Sequence, residues 1–286
     1  MRDLDIHLQN YRLLPGENLE GVVTVRTNGS YKCNRVVLKV KGKEHTEFGS
    51  GENRVTDDRV ILGKVYRISE GCELPEGTTR IPISIPLPLK LPPTYRGHHG
   101  YIEYTLEAVV EVDWAIDPKC KRQFRIIQSK PPIIEAPDSL EPPTLQDDEL
   151  QIELEENIIR LDKGIKIRFK VRERSRVRGV RFEIVRREVA RCHSRELKHD
   201  SVVVRKFYPV SYDDFDRWME TDIGKNWKYD LPLASYLFEV TYYLKVTLDV
   251  GLDFDPSIRC PVKFSDILPE RDVLEEIASD LGIDDW

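Results

Sequence analysis

The sequence predicts an all-β chain: two tandem antiparallel β-sandwich domains followed by a short C-terminal helical tail. Three observations carry that prediction. Apolar and polar residues alternate with a period of two over most of the chain, helix-length amphipathic segments are missing until the end, and one stretch of the first half recurs in the second. Side chains on a strand project alternately to its two faces, so this period marks strands with one buried and one wet side. With no helices to make crossovers, hairpin-connected sandwiches are favoured over a parallel sheet.

The clearest strand is Tyr101 to Asp113. Ile102, Tyr104, Leu106, Ala108, Val110 and Val112 fall on one face, and Glu103, Thr105, Glu107, Glu111 and Asp113 on the other. Shorter runs of the same kind occupy Glu20 to Thr27, Arg35 to Lys41, Val60 to Ile68, Arg80 to Pro86 and Arg122 to Ile127, with Gly, Pro and Asn between them. In the second half Ile165, Ile167, Phe169 and Val171 alternate with Lys166, Arg168, Lys170 and Arg172, and Val180, Phe182 and Ile184 are expected on a neighbouring strand. The recurrence lays YTLEAVVEVDWAIDP (104–118) without gaps on YYLKVTLDVGLDFDP (242–256), matching Tyr104 with Tyr242 and Asp117-Pro118 with Asp255-Pro256. Each half also opens on a glycine-marked turn into a strand, LLPGENLEGVVTV and RLDKGIKIRFKV.

These signals divide the chain into a sandwich over 1–130, a proline-rich acidic connector over 131–150, a second sandwich over 151–265 and a tail over 266–286. Proline lacks the N–H that a β-ladder needs, so the connector is expected to be semi-rigid and not a core strand. In the tail Val273, Leu274, Ile277 and Leu281 share one helical face, opposite Glu275, Glu276 and Asp280. So short a helix needs a surface, and either its own sandwich or a partner protein could supply it.

Composition narrows the function classes. A chain of 286 residues is long enough for two domains with separate cores. Hydrophobic residues at 40% and charged residues at 33% describe a globular chain with wet surfaces, and the net charge of −6 disfavours indiscriminate nucleic-acid binding. The N-terminus is charged from Arg2, and no run approaches the roughly 18 apolar residues of a membrane span, so a soluble, cytoplasmic protein, at most peripheral at a membrane, is expected. Five cysteines, far apart and without a CxxC pair, are expected to be reduced structural thiols.

Little in the sequence points to catalysis. GxSxG, P-loop and GxGxxG motifs are all missing, and His98-His99 sit where a turn is expected, so no catalytic residue, metal ligand or cofactor is assigned. Paired carboxylates in a sugar-cutting sandwich enzyme remain the alternative from another class. The charge pattern is more informative. From Arg160 to Lys206 there are 17 Lys or Arg against 6 Asp or Glu. Lys166, Arg168, Lys170, Arg172, Arg174, Arg176, Arg178 and Arg181 are therefore candidates for binding anionic lipid, phosphorylated peptide or an acidic protein, because guanidinium groups pair bidentately with phosphate. The competing reading is a solvated strand face neutralised by nearby acids. Pro92-Pro93-Thr94-Tyr95 also has two readings, a Pro-Pro-x-Tyr ligand for WW-type domains or a piece of the scaffold.

PGENLEGVVTV, RVVLKVKGKE and LPEGTTRIPISIPLPLKLPPTYRGHHGYIEYTLEAVVEVDW together resemble the N-terminal domain of arrestins and arrestin-domain proteins, and WKYDLPLASYLFEVTYYLKVTLDV resembles their C-terminal domain. The resemblance implies immunoglobulin-like sandwiches of the arrestin type and a non-enzymatic adaptor or scaffold in signalling or protein transport, binding proteins or membrane-associated cargo. It also implies that the Leu-Pro-Pro-Thr element belongs to the sandwich, and that the tail can fold back and be displaced by cargo. Similar openings occur in the sporulation-control family and the arrestin-like subunit of retromer, so a subunit of a trafficking coat or of a stress or envelope-control complex is the alternative within the class.

Overall fold

The computed structural model describes residues 3–113, 115–128, 144–146, 149–173, 176–251 and 255–265. They form two compact units. The first comprises Met1–Ser129 with Glu188–Lys198 and Leu233–Glu239, and the second Lys130–Arg187, His199–Pro232 and Val240–Trp286. No α-helix occurs among the described residues; the only helical turns there are 3-10 segments at Gly51–Asn53 and Tyr212–Asp214. The expected helical tail and most of the connector lie outside the described residues, although Thr144–Gln146 of the connector adds a short strand to a sheet edge.

Strands β1 (Asp3–Leu8), β2 (Arg12–Leu13), β3 (Asn18–Thr27), β4 (Tyr31–Phe48), β5 (Val55–Leu74), β6 (Gly77–Pro86), β7 (Tyr95–Arg96), β8 (Gly100–Glu111) and β9 (Lys119–Ile126) build the first sandwich. One sheet has the order β1-β3-β6; the other runs β2-β9-β8-β4-β5, with β7 also paired to β8. The second set is β10 (Thr144–Gln146), β11 (Leu150–Leu154), β12 (Ile158–Arg160), β13 (Ile165–Val171), β14 (Val177–Cys192), β15 (Arg195–Pro209), β16 (Trp218–Ile223), β17 (Leu233–Ala234), β18 (Phe238–Val250) and β19 (Ser257–Ser265). Its sheets are ordered β10-β11-β13-β16 and β12-β19-β18-β14-β15, with β17 paired to β18.

Both strand sets follow one plan. A short parallel pair closes one side of each larger sheet, β2 with β9 and β12 with β19. The aligned tyrosines act alike: Tyr104 donates its hydroxyl to the Pro92 carbonyl and Tyr242 to the Asp230 carbonyl, each at 2.6 Å and each twelve residues back. Burial, reinforced by Glu44 and Asp230 respectively, pushes both phenols well above the ordinary tyrosine range. The closing turns match as well. Val112 N–H donates to Asp117 and Val250 N–H to Asp255, at 3.0 and 2.9 Å. At the openings Gly16 and Gly164 take φ of +89° and +74°, which only glycine adopts without strain, and a Cβ on Gly164 would run into the Ile223 carbonyl. Equivalent hydrogen bonds should have equivalent worth. Tyr104→Phe and Tyr242→Phe are each expected to cost about 1 kcal/mol in urea unfolding; a loss from one alone would contradict the equivalence.

In each unit alternation places the core between the sheets. Leu19, Val23 and Ile85 of the smaller first sheet are buried, as are Leu38, Val40, Leu106 and Val110 of the larger one. In the second unit Ile152, Ile167 and Phe169 come from one sheet and Phe182, Ile184 and Leu244 from the other. This corrects one expectation. β13 and β14 are not neighbours in a ladder but belong to opposed sheets, and Phe169 meets Phe182 edge-on across the core at 5.1 Å. The thiol expectation also needs correction: Cys33 is disulfide-bonded, while Cys120, Cys192 and Cys260 are free.

Candidate interaction surfaces and a buried carboxylate clasp

The split between sheets decides what the basic run looks like in space. Lys166, Arg168 and Lys170 share the outer face of β13, flanked by β11 and β16. Arg168 pairs with Glu153 at 3.0 Å and with Glu220 at 3.4 Å, and its guanidinium lies 5.2 Å from the Trp218 ring, where Lys170 also sits at 5.3 Å. Arg172 and Arg176 are exposed, and Arg174 is outside the described residues. Arg178 and Arg181 stand on β14 in the opposed sheet, paired with Asp249 and Asp255. The candidates that lie on strands therefore occupy two sheets, and among the described residues Arg168, Arg178 and Arg181 are engaged by carboxylates. Beside β13 an open trough of about 520 Å³ is lined by Glu153, Glu155, Glu220 and Asp222 against Lys166 and Arg168. Asp222 is drawn below the usual carboxylate range by Lys225 and, secondarily, Lys206.

The Pro-Pro-x-Tyr stretch belongs to the scaffold of the first unit. Pro92 supplies the carbonyl taken by Tyr104, and Thr94 is bonded both ways to Ile126, N–H to carbonyl at 2.8 Å and hydroxyl oxygen from N–H at 2.9 Å. Tyr95, which a docking peptide would have to present, is 3% exposed. Its hydroxyl donates to Glu188 at 2.6 Å. The same buried carboxylate accepts the N–H groups of His98 and His99, each at 2.9 Å, so the histidine pair contributes backbone donors to this site. Gly97 is needed here because a Cβ would collide with Glu188 Oε2.

A second buried acid mirrors the first. Glu44 accepts the Leu237 N–H at 2.7 Å, while Glu47 N–H donates to the His99 carbonyl and Arg191 N–H to the Leu237 carbonyl, both at 2.8 Å. His99 and Leu237 are equivalent under the recurrence, each one residue before its β8 or β18 strand. Each therefore gives its N–H to one carboxylate and its carbonyl to the strand carrying the other. The two differ in satisfaction: Glu188 has three donors, whereas Glu44 Oε1 is buried without a partner. Nothing in the sequence flagged these acids. No motif or spacing sets Glu44 and Glu188 apart from other strand charges, and only the turns brought against them from far along the chain reveal their role.

Residues 4–130 match the family model described as Arrestin (or S-antigen), N-terminal domain. These residues form an arrestin N-terminal domain. Among curated relatives, arrestin domain-containing protein 17 of Caenorhabditis elegans is 26% identical over 129 residues. That match takes in 39% of this chain and 30% of the relative, so the chain spans under a third of the curated relative it matches. No helix among the described residues is long and apolar enough to cross a membrane.

Beyond the clasp, the first unit presents a strand edge that is open among the described residues. β5 ends the larger sheet, and its outer side carries Val60 and Val65, 59% and 65% exposed. In the second unit β15 holds the same edge position with Val202 and Phe207 exposed. Asp200 on β15 accepts both arms of Arg187 at 2.8 Å and the Tyr243 hydroxyl at 2.9 Å. Arg187, foremost, holds this carboxyl below the usual aspartate range. Its contribution to stability is complete above the unfolded pKa of about 3.9 and is lost as pH falls through the lower folded value. Urea midpoints from pH 6 to pH 2 should therefore fall less steeply for Arg187→Met than for the wild type; parallel curves would refute this linkage.

Proposed function

We propose that this arrestin-domain chain is a non-enzymatic adaptor or scaffold that holds proteins or membrane-associated cargo. The observation that carries the reading is the pair of long sheet edges, β5 and β15, which pair with no further strand among the described residues and carry exposed aliphatic or aromatic side chains. Such edges recognise extended segments through main-chain hydrogen bonds, and an adaptor role is typical of the family. The tail residues Val273, Leu274, Ile277 and Leu281, outside the described residues, are proposed as a docking element that cargo displaces. A pulldown from native lysate with the intact chain and with a form lacking 266–286 tests both ideas. Additional proteins captured by the shorter form support the displaceable tail; specific capture by neither form overturns the adaptor reading.

A second reading, anion binding by the β13 face, has one specific observation in its favour. Lys166, Lys170, Arg172 and Arg176 have no carboxylate in ion-pair range among the described residues, and Lys170 is presented on the half-open Trp218 ring. It predicts retention on phosphatidylserine vesicles at low salt that disappears near 0.2 M and is reduced by Lys166→Glu/Lys170→Glu. No retention at low salt removes it.

A further inference from the structure

The open edge of β5 has a recognisable specificity, which rests on the adaptor reading above. Two register shifts against β4, at Val36/Val37 and Gly42/Lys43, bound an uninterrupted run of β5 from Leu62 to Arg67. Within that run Val65 stands opposite Lys39 and Gly63 opposite Lys41, all on the outer face of the sheet. Across the other flank β8 sets Glu107 opposite Lys39 and Glu103 opposite Lys43, which also pairs with Asp58 at 2.9 Å. Lys41 differs. Its neighbours are Thr105 on β8 and the bare Gly63 on β5, and no carboxylate is in ion-pair range of it among the described residues.

Gly63 is not required by the backbone. Its φ is not positive, and a Cβ there would meet only Val60 at 3.4 Å. The missing side chain instead leaves a slot in the outer face, flanked by Val65 and, beyond the register shift, Val60, with Lys41 behind it. A strand added to the edge would lie two strand spacings, about 9–10 Å, from β4. A lysine stem leaning over Gly63 and an acidic side chain leaning back span that distance together, whereas any larger residue at 63 would stand between them.

We propose that β5 accepts an added strand from a partner protein, over Leu62–Arg67, whose residue opposite Gly63 is Glu or Asp and whose residue opposite Val65 is apolar. Main-chain hydrogen bonds to the edge supply affinity, and Lys41 selects the acid. Lys41 is exposed and has no acid in ion-pair range among the described residues, so substituting it leaves the fold intact.

The test uses labelled Thr-Val-Thr-Glu-Thr-Val-Thr, whose symmetric pattern suits either strand direction, and its Glu→Lys form, titrated by fluorescence anisotropy against the full chain. The Glu peptide is expected to bind about tenfold more tightly than the Lys peptide. Lys41→Glu should reverse that preference, and Gly63→Trp should abolish binding of both. Amide hydrogen exchange at Leu62–Arg67 should slow when the Glu peptide is added to the wild type. Equal binding of the two peptides, or a preference unchanged in Lys41→Glu, overturns the assignment. So does protection appearing elsewhere. The adaptor reading stands or falls separately, because a chain that captures proteins from lysate yet ignores these peptides refutes only the β5 specificity.

Discussion

Glu188→Ala is expected to lower the unfolding free energy by about 3–5 kcal/mol, among the largest effects of any single substitution in the first unit. The carboxylate is 1% exposed and takes three donors, the Tyr95 hydroxyl and the His98 and His99 N–H groups. Hydrogen bonds to a charged acceptor contribute about 1.5–3 kcal/mol each, and removing the acceptor strands all three donors where water enters poorly. Tyr95→Phe leaves two donors in place and should cost about 1.5–3 kcal/mol. Glu44→Ala supplies the control: that acid serves one donor and already carries an unpartnered oxygen, so its loss should be distinctly smaller. Gly97→Ala attacks the same contact from the other side by driving a methyl group into Glu188. Because both changes break one interaction, the double variant should lose much less than the sum of the singles. Chemical denaturation of the five variants measures all of this. A Glu188→Ala protein within 1 kcal/mol of the wild type would show that the clasp is not what holds the Tyr95–His99 turn.

What the sequence could reveal follows from the range over which each signal acts. Alternation is local, so the strands around Tyr104, Phe169 and Tyr242 were visible, although β4 and β5 run well past the expected Arg35 to Lys41 and Val60 to Ile68. The recurrence was visible because its Tyr and Asp-Pro matches make the same hydrogen bonds in both copies. Sheet membership was not. Val180, Phe182 and Ile184 have the pattern of a strand next to β13 and equally that of a strand facing it, since period two identifies a buried face without naming what covers it. The same ambiguity made Lys166 to Arg181 look like one basic surface, when Arg178 and Arg181 belong to the opposed sheet and answer to Asp249 and Asp255. Glu188 was invisible for a further reason. Its partners lie about ninety positions back along the chain, and no short-range rule distinguishes a glutamate that meets a turn from one that meets water.

The second large effect follows from that corrected packing. Phe169→Ala is expected to cost about 3–5 kcal/mol, the range for emptying an aromatic site in a core that cannot collapse onto the space. Phe169 is fully buried on the central strand of its sheet, between β11 and β16, and meets two rings edge-on at 5.1 Å, Phe182 and Tyr208. Central strands are held on both sides by ladders, so the backbone has little freedom to move inward. Phe182→Ala should cost a similar amount, and the double variant separates two arrangements. If the rings face each other across the core, the pair shows a coupling of about 0.5–1.5 kcal/mol in a double-mutant cycle, the worth of an edge-to-face contact beyond its buried area. Strands side by side in one ladder would instead leave their cross-strand pairing sensitive to substitutions on β13's outer face, such as Lys170→Thr. Additive losses from Phe169 and Phe182, with coupling between Lys170 and residues of β14, would return β13 and β14 to a single sheet and dissolve the division of the basic residues that depends on it.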